Sequence, residues 1–356
     1  MRRALVGVCL VLSAASVSAQ PSAQLKQYDD LVRQYRSGSF EGASSELRFL
    51  SIDKFDEHLL NDWARAARRD ERRDDLAAAL MMHTEVVFDE VAADPTRLRF
   101  NLAVRKHDRA INAIHQQLHA FSRNTPLLRT WYLMWEAFRQ GFSFEGNAPL
   151  SDYLDDGLGA FPDDSDMLLS AGSRNELIWW GAAQNPQRDP SERSRAGENL
   201  LNEARRYLQK SVDANPKAIE ARIRLGRVLM LLGRYDAAGE QLTGPSQSGQ
   251  PAFEYLRLLF LGDLRERQND PAGAMVAYEE AIGLTPSPQS ARLAAAQVSH
   301  GMGRRTDATR VAMQAMITTS NENDPWWGYQ RGQWWRLGYY LKVGRGLVVN
   351  ARGSTR

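Results

Sequence analysis

The side chains best placed to do chemistry are two histidines four residues apart, His115 and His119. That spacing puts both on one helical face, where they could share a metal ion. Ala110, Ile111, Ile114, Leu118 and Phe121 form the apolar stripe of the same helix, so both histidines fall at its margin. No His-Glu-x-x-His signature supplies a further ligand or a general base, so a structural or surface role is expected and no metal is assigned. His83 lies on the stripe of Leu76, Leu80, Val87 and Val91 and reads as a packed, hydrogen-bonded histidine. The acidic pairs Asp29-Asp30, Asp74-Asp75, Asp155-Asp156 and Asp163-Asp164 are neighbours in sequence. Adjacent residues do not share a helical face, which suits caps and solvated surface better than paired acid–base work. Arg65 to Arg73 holds five arginines, but Asp70 and Glu71 interrupt them, as expected of a solvated helix junction. No phosphate loop or nucleophile elbow appears, so neither catalysis nor a cofactor is expected.

The C-terminal aromatics are the other chemical feature. Trp326, Trp327, Trp334 and Trp335 place four of nine tryptophans within ten residues, and Tyr339-Tyr340 follows. Asp324-Pro325 should start a helix there. Such a helix could cap the apolar face of a last repeat, or it could dock protein or stack on envelope glycans. Trp179-Trp180 presents the same choice, with core packing ahead.

The elements that must carry these residues are helical. Convincing β-alternation is absent, while a period is present. Ala204, Ala238, Ala274 and Ala308 are separated by 34, 36 and 34 residues. Leu225-Gly226, Gly233, Tyr235, Ala238 and Leu242 form one unit, and Leu261-Gly262, Ala274, Tyr278, Ala281 and Pro286 the next. Small residues at such places let two helices approach closely. Gly233 suits the left-handed end of a helix. Asp270-Pro271, Asn215-Pro216, Asp94-Pro95 and Asp189-Pro190 read as caps with proline at the first helical position. Outside about 195–316 the pattern degenerates, with an apparent turn at Lys106-His107-Asp108 and prolines 95, 126 and 162 keeping a similar spacing. Pro162 and Pro216 are farther apart, and a polar loop near 185–193 accounts for the surplus.

This period and these residues resemble the tetratricopeptide repeat, a helix–turn–helix unit. The resemblance implies an all-α fold, a right-handed α-solenoid of antiparallel helical hairpins. It also implies a protein or peptide partner on the concave face lined by first helices. The family's groove positions fall on Ile223, Arg224 and Arg227, then Leu259 and Asp263, then Leu293 and Gln297. Ile223 and Asp263 stand where the carboxylate-gripping subset carries basic or amide groups, so capture of a free C-terminus is not implied.

The expected organisation is therefore a signal peptide over 1–19 and degenerate hairpins over 20–162. Hairpins of the repeat type, with the loop insertion near 185–193, follow over 163–322, then an aromatic capping helix and tail over 323–356. Met1-Arg2-Arg3, the apolar run Ala4 to Val17 and the small residues Val17-Ser18-Ala19 have the tripartite form of an export signal. Cys9, the single cysteine, lies within that run, so the exported chain would have no disulfide. The net charge of +2 is the contribution of Arg2 and Arg3, so the remainder has no global field to attract nucleic acid. No later run is apolar for long enough to span a membrane. The expected function is an exported, non-catalytic scaffold or adaptor in a bacterial envelope, periplasmic or secreted. The alternatives are a glycan binder using the C-terminal tryptophans and a metal-dependent enzyme around His115 and His119. Oligomeric state is not legible.

Overall fold

The computed structural model describes residues 19–51, 57–94, 102–141, 150–183, 190–244, 249–317 and 324–351. The signal-like start, Asp94-Pro95 beyond Asp94, and most of the loop near 185–193 lie outside them. The fold is all-α, with no strand among the described residues. No described helix is long and apolar enough to cross a membrane. The chain divides into two compact units. One holds the described residues up to Trp135, those at 150–152 and those from Gly338; the other holds the rest, including Tyr153–Leu337. The aromatic C-terminus expected as one capping piece is thus divided between the units.

The first unit contains α1 (Ala19–Arg36), α2 (Phe40–Ser51), α3 (Glu57–Arg69), α4 (Arg73–Ala93), α5 (Leu102–Phe121) and the first part of α6 (Pro126–Gly141). α4 is its centre. The sequence Leu76 to Phe88 is apolar or small on nearly every side, and every one of those residues is buried. A helix of that composition must be covered all round, which a single stripe understated. The turn read at Lys106-His107-Asp108 is not a turn; α5 runs straight through it. Lys106 is exposed, but its two neighbours are buried: His107 meets His83, and Asp108 accepts hydrogen bonds from Ser151 N and Oγ. The arginine run does mark a junction between α3 and α4, closed by Glu71 at φ 56°.

The second unit contains the end of α6, then α7 (Leu154–Ala160), and then four hairpins. These pair α8 (Ser165–Ala183) with α9 (Pro190–Ala214), and α10 (Ile219–Leu231) with α11 (Tyr235–Leu242). They go on to pair α12 (Pro251–Arg267) with α13 (Pro271–Ile282), and α14 (Gln289–Gly301) with α15 (Arg305–Ile317). α9 already begins at Pro190, which shortens the expected loop. The small residues do what close packing requires: Ala204, Ala238 and Ala274 are wholly buried and Ala308 nearly so. A Cβ on Gly226 would lie 2.6 Å from Leu242 Cγ, and one on Gly262 would clash with the edge of the Tyr278 ring. Gly172 holds the same place against Leu208 in the α8–α9 hairpin. Gly233, Asn269 and Gly303 turn the chain between helices at positive φ. Asp270 caps α13 by accepting from Gly273 N at 2.9 Å. Asn215-Pro216 does not start a helix; Asn215 Oδ1 accepts from Lys217 N in a turn, and α10 begins at Ile219.

Two short elements complete the second unit: α16 (Pro325–Tyr329) and a 3-10 turn, Trp334–Arg336. α17 (Leu337–Asn350) then returns, from Gly338, to the first unit. There Arg345 donates to both oxygens of Glu85, at 2.8 and 2.9 Å, and Gly344 lies against Met81.

A groove filled by the chain's own aromatic segment

The first helices α8, α10 and α12 present an unusual buried charge cluster. Glu220 and Arg224 stand one turn apart on α10, so their side chains meet, Arg224 Nε donating to Glu220 Oε1 at 3.0 Å. Arg227 follows on the same face. Glu176, from α8, bridges both arginines: Arg224 Nη1 donates to its Oε2 at 2.9 Å and Arg227 Nη1 to its Oε1. All four side chains are below a tenth exposed. Buried charges persist only when paired, and here each is.

The covering is residues 324–336 of the same chain. Asp324, the N-cap of α16, is anchored at one end; its Oδ2 accepts from Ser290 N at 2.6 Å and Tyr255 OH at 3.2 Å. Tyr329 OH donates to Glu176 Oε1 at 2.5 Å, while Arg224 Nη2 donates back to the carbonyls of Tyr329 and Gly332, at 3.2 and 3.4 Å. Gln333 N donates to Gln140 Oε1 at 2.9 Å and its Nε2 to Glu220 Oε1 at 2.5 Å. Arg336 closes the other end, on Asp166 at 2.9 Å and Glu220 at 3.2 Å. The Gly332 backbone has φ 61° and leaves no room for a Cβ beside Gln140 and Leu177, so glycine is required on both counts.

Arg227 is ringed by aromatics. Trp179, Trp180, Phe260, Trp326 and Tyr329 all have centroids within 6.0 Å of its guanidinium carbon. Arg224 lies 4.0 Å over Tyr329. Trp326 stacks on Tyr329 at 11° and meets Trp180 and Phe260 edge-on. Burial disfavours the charge on Arg224, but Tyr329, Glu220 and Glu176 outweigh it and raise its pKa. Burial, then Glu176, pushes Tyr329 far above the usual phenol range, so its hydroxyl stays a donor.

The groove positions carried over from the resemblance divide. Arg224 and Arg227 meet in this cluster. Ile223 and Leu259 are packed in the hydrophobic core, because their helix faces turn inward. Asp263 is part-exposed and paired with Arg267 one turn on, while Leu293 and Gln297 are exposed on α14. The aromatic segment reaches the last hairpin only at Ser290 of α14, and α15 keeps Met313, Met316 and Ile317 exposed. Trp326 faces the cluster, Trp334 packs on Gly141 and Phe138, and Trp327 and Trp335 remain about half exposed. Glu176, Tyr255 and Asp324 were not singled out as site residues; only the Glu220–Arg224 spacing announces a pair in the sequence.

His115 and His119 are held by one hydroxyl. Both converge on Tyr132 OH, at 2.8 and 2.9 Å, and His115 stacks on Trp131. Among the described residues no group of three or more His, Cys, Asp or Glu side chains could hold a metal ion. His83 is the packed, bonded histidine expected, between Tyr28 OH at 2.9 Å and His107 Nδ1 at 2.8 Å.

Comparison with family models agrees with this reading over part of the second unit. Residues 196–259 match the family model for the tetratricopeptide repeat. Among solved structures, "MamA MSR-1 C2" is similar at 18% identity and a TM-score of 0.36, over 53% of this chain and 94% of that one. The "Crystal structure of APC/C hetero-tetramer Cut9-Hcn1" is similar at 14% identity and a TM-score of 0.40. That likeness covers 92% of this chain and 64% of the other. No curated protein matches. The matched stretch includes Arg224 and Arg227, so the hairpin that carries them is similar to a tetratricopeptide repeat.

Proposed function

We propose that this chain is an exported, non-catalytic scaffold that binds protein segments in the groove over α8, α10 and α12. The observation that carries the proposal is the grip of Arg224 on two main-chain carbonyls, those of Tyr329 and Gly332. Main-chain contacts supply affinity independent of sequence, and side-chain pockets beside them supply selectivity, which is how peptide grooves work. The aromatic ring around Arg227 is such a pocket. Support for export is the cationic start and apolar run over Met1 to Ala19. The near-neutral charge of the remainder favours a protein over a nucleic acid as partner.

Panning a displayed-peptide library over the immobilised full chain, and over a Trp326→Ala/Tyr329→Ala chain, tests the binding function. Enriched peptides should lose binding when Arg227→Leu is added to a chain that keeps its helical circular dichroism. Failure to enrich any sequence on either chain would overturn the proposal. Export is tested by the mass of the protein recovered from fractionated bacteria: a shortened N-terminus in the envelope or medium is expected, and an intact Met1 terminus in the cytosol counts against it.

A further inference from the structure

The segment 324–336 behaves as a bound peptide that happens to be covalently attached. The groove's own ion pairs close without it. Arg224–Glu176, Arg224–Glu220 and Arg227–Glu176 lie entirely within α8 and α10, so removing the segment strands no charge. The anchors have a direction. One end offers donors, Ser290 N and Tyr255 OH, to a carboxylate. The other offers carboxylates, Asp166 and Glu220, to a guanidinium. Between them, two aromatics three residues apart, Trp326 and Tyr329, meet Arg227 and Arg224.

The occupant is also an imperfect one. Gln333 is 1% exposed, and its Oε1 has no hydrogen-bond partner while its Nε2 faces Glu220. A buried acceptor left unpaired is unfavourable, and a residue with donors alone would fill the place better. Trp327 and Trp335 spend large apolar rings half in water.

Resting on the segment-binding function proposed above, we infer the chemistry of the partner. It is a peptide that runs in the order acidic residue, two aromatics three apart, then basic residue, and it displaces residues 324–336 from the groove. The attached segment competes at the high effective concentration of a short tether, in the millimolar range, so free peptide is held off until it binds better or the segment loosens.

The test uses a fluorescent synthetic peptide of residues 323–337 and fluorescence anisotropy. It should bind the Trp326→Ala/Tyr329→Ala chain at least tenfold more tightly than the unaltered chain. A peptide carrying Gln333→Arg should bind more tightly again, and one with its acidic and basic ends exchanged should bind at least tenfold more weakly. Equal binding to both chains, binding to neither, or indifference to the exchange of ends would overturn the inference. Should the altered chain lose its helical circular dichroism, hydrogen exchange on the unaltered chain decides. Amides of 326–333 must exchange at least tenfold faster than those of α10 and α12, and equal protection would make the segment a fixed part of the core. Library peptides of unrelated chemistry that enrich through Arg227, with no binding of the 323–337 peptide, would remove this inference and leave the scaffold function standing; no enrichment at all removes both.

Discussion

The two units share helices and differ in how they bury polarity. In the first unit, much of the deepest polar structure is neutral: Tyr28, His83 and His107 form one chain, His115, Tyr132 and His119 another, and Trp131 donates to Thr84. In the second, the buried polar structure centres on charges, two arginines and two glutamates, and its one histidine, His300, is exposed. A neutral network holds while its members stay neutral; a charged one holds while its pairs stay matched. The units therefore answer to different insults.

Acid should separate them most. Burial first, then nearby Lys106 and Arg48 against the opposing Glu90, holds His107 down to about 4. Burial, then His119, does the same for His115. The unfolded chain takes up these protons near pH 6.5 and the folded one only near 4. Stability is therefore complete above about 6.5, falls as pH drops towards 4 and levels off below. Each histidine accounts for about 3 kcal/mol at most. Hydrogen exchange at pH 7 and pH 5, corrected for intrinsic rates, should show α4 and α5 losing protection while α10 and α12 keep theirs. Equal losses in both would break the contrast.

Substitution should act the other way round. Glu176→Ala leaves Arg227 buried beside no carboxylate and should cost about 3–5 kcal/mol, read as a lower urea midpoint with the loss of protection centred on α8 and α10. A similar loss in α4 would mean that the charged cluster does not belong to its own unit alone. Glycine contacts sharpen the comparison on a smaller scale. Gly262→Ala drives a methyl into the rigid Tyr278 ring and should cost about 1–3 kcal/mol. Gly344→Ala meets the flexible end of Met81 and should cost less than about 1 kcal/mol. Thermal melts of the two variants give the order, and a larger shift for Gly344→Ala would reverse it. Smallest is Asp270→Ala, which removes the α13 cap and should cost about 1 kcal/mol, with faster exchange confined to the first turn of that helix.

The repeat architecture was legible because close helix crossings admit few residue types, so Gly226, Ala238, Gly262 and Ala274 had to recur. Gly172 belongs to the same series, but α9 is 25 residues long, and the longer hairpin hides the period. The turn read at Lys106-His107-Asp108 shows the limit of polarity as a signal: His107 and Asp108 are satisfied by His83 and Ser151 from distant parts of the chain. Arg224 and Arg227 were reachable through the family's groove positions. Glu176 was not, because a partner 48 residues away leaves no local spacing to read. Nor could the sequence tell a cap from a groove ligand. Trp326 and Tyr329 have the same composition in either place, and what decides is the anchorage of Asp324 on Ser290 and Tyr255.

The ring around Arg227 has an optical consequence. Three indoles, Trp179, Trp180 and Trp326, lie within 6.0 Å of one fixed positive charge, and Trp326 is locked nearly parallel to Tyr329. Chromophores held this rigidly in an asymmetric field give strong near-ultraviolet ellipticity, and one of the three rides on segment 324–336. The molecule thus carries a label-free gauge of its own occupancy, readable without attaching any dye.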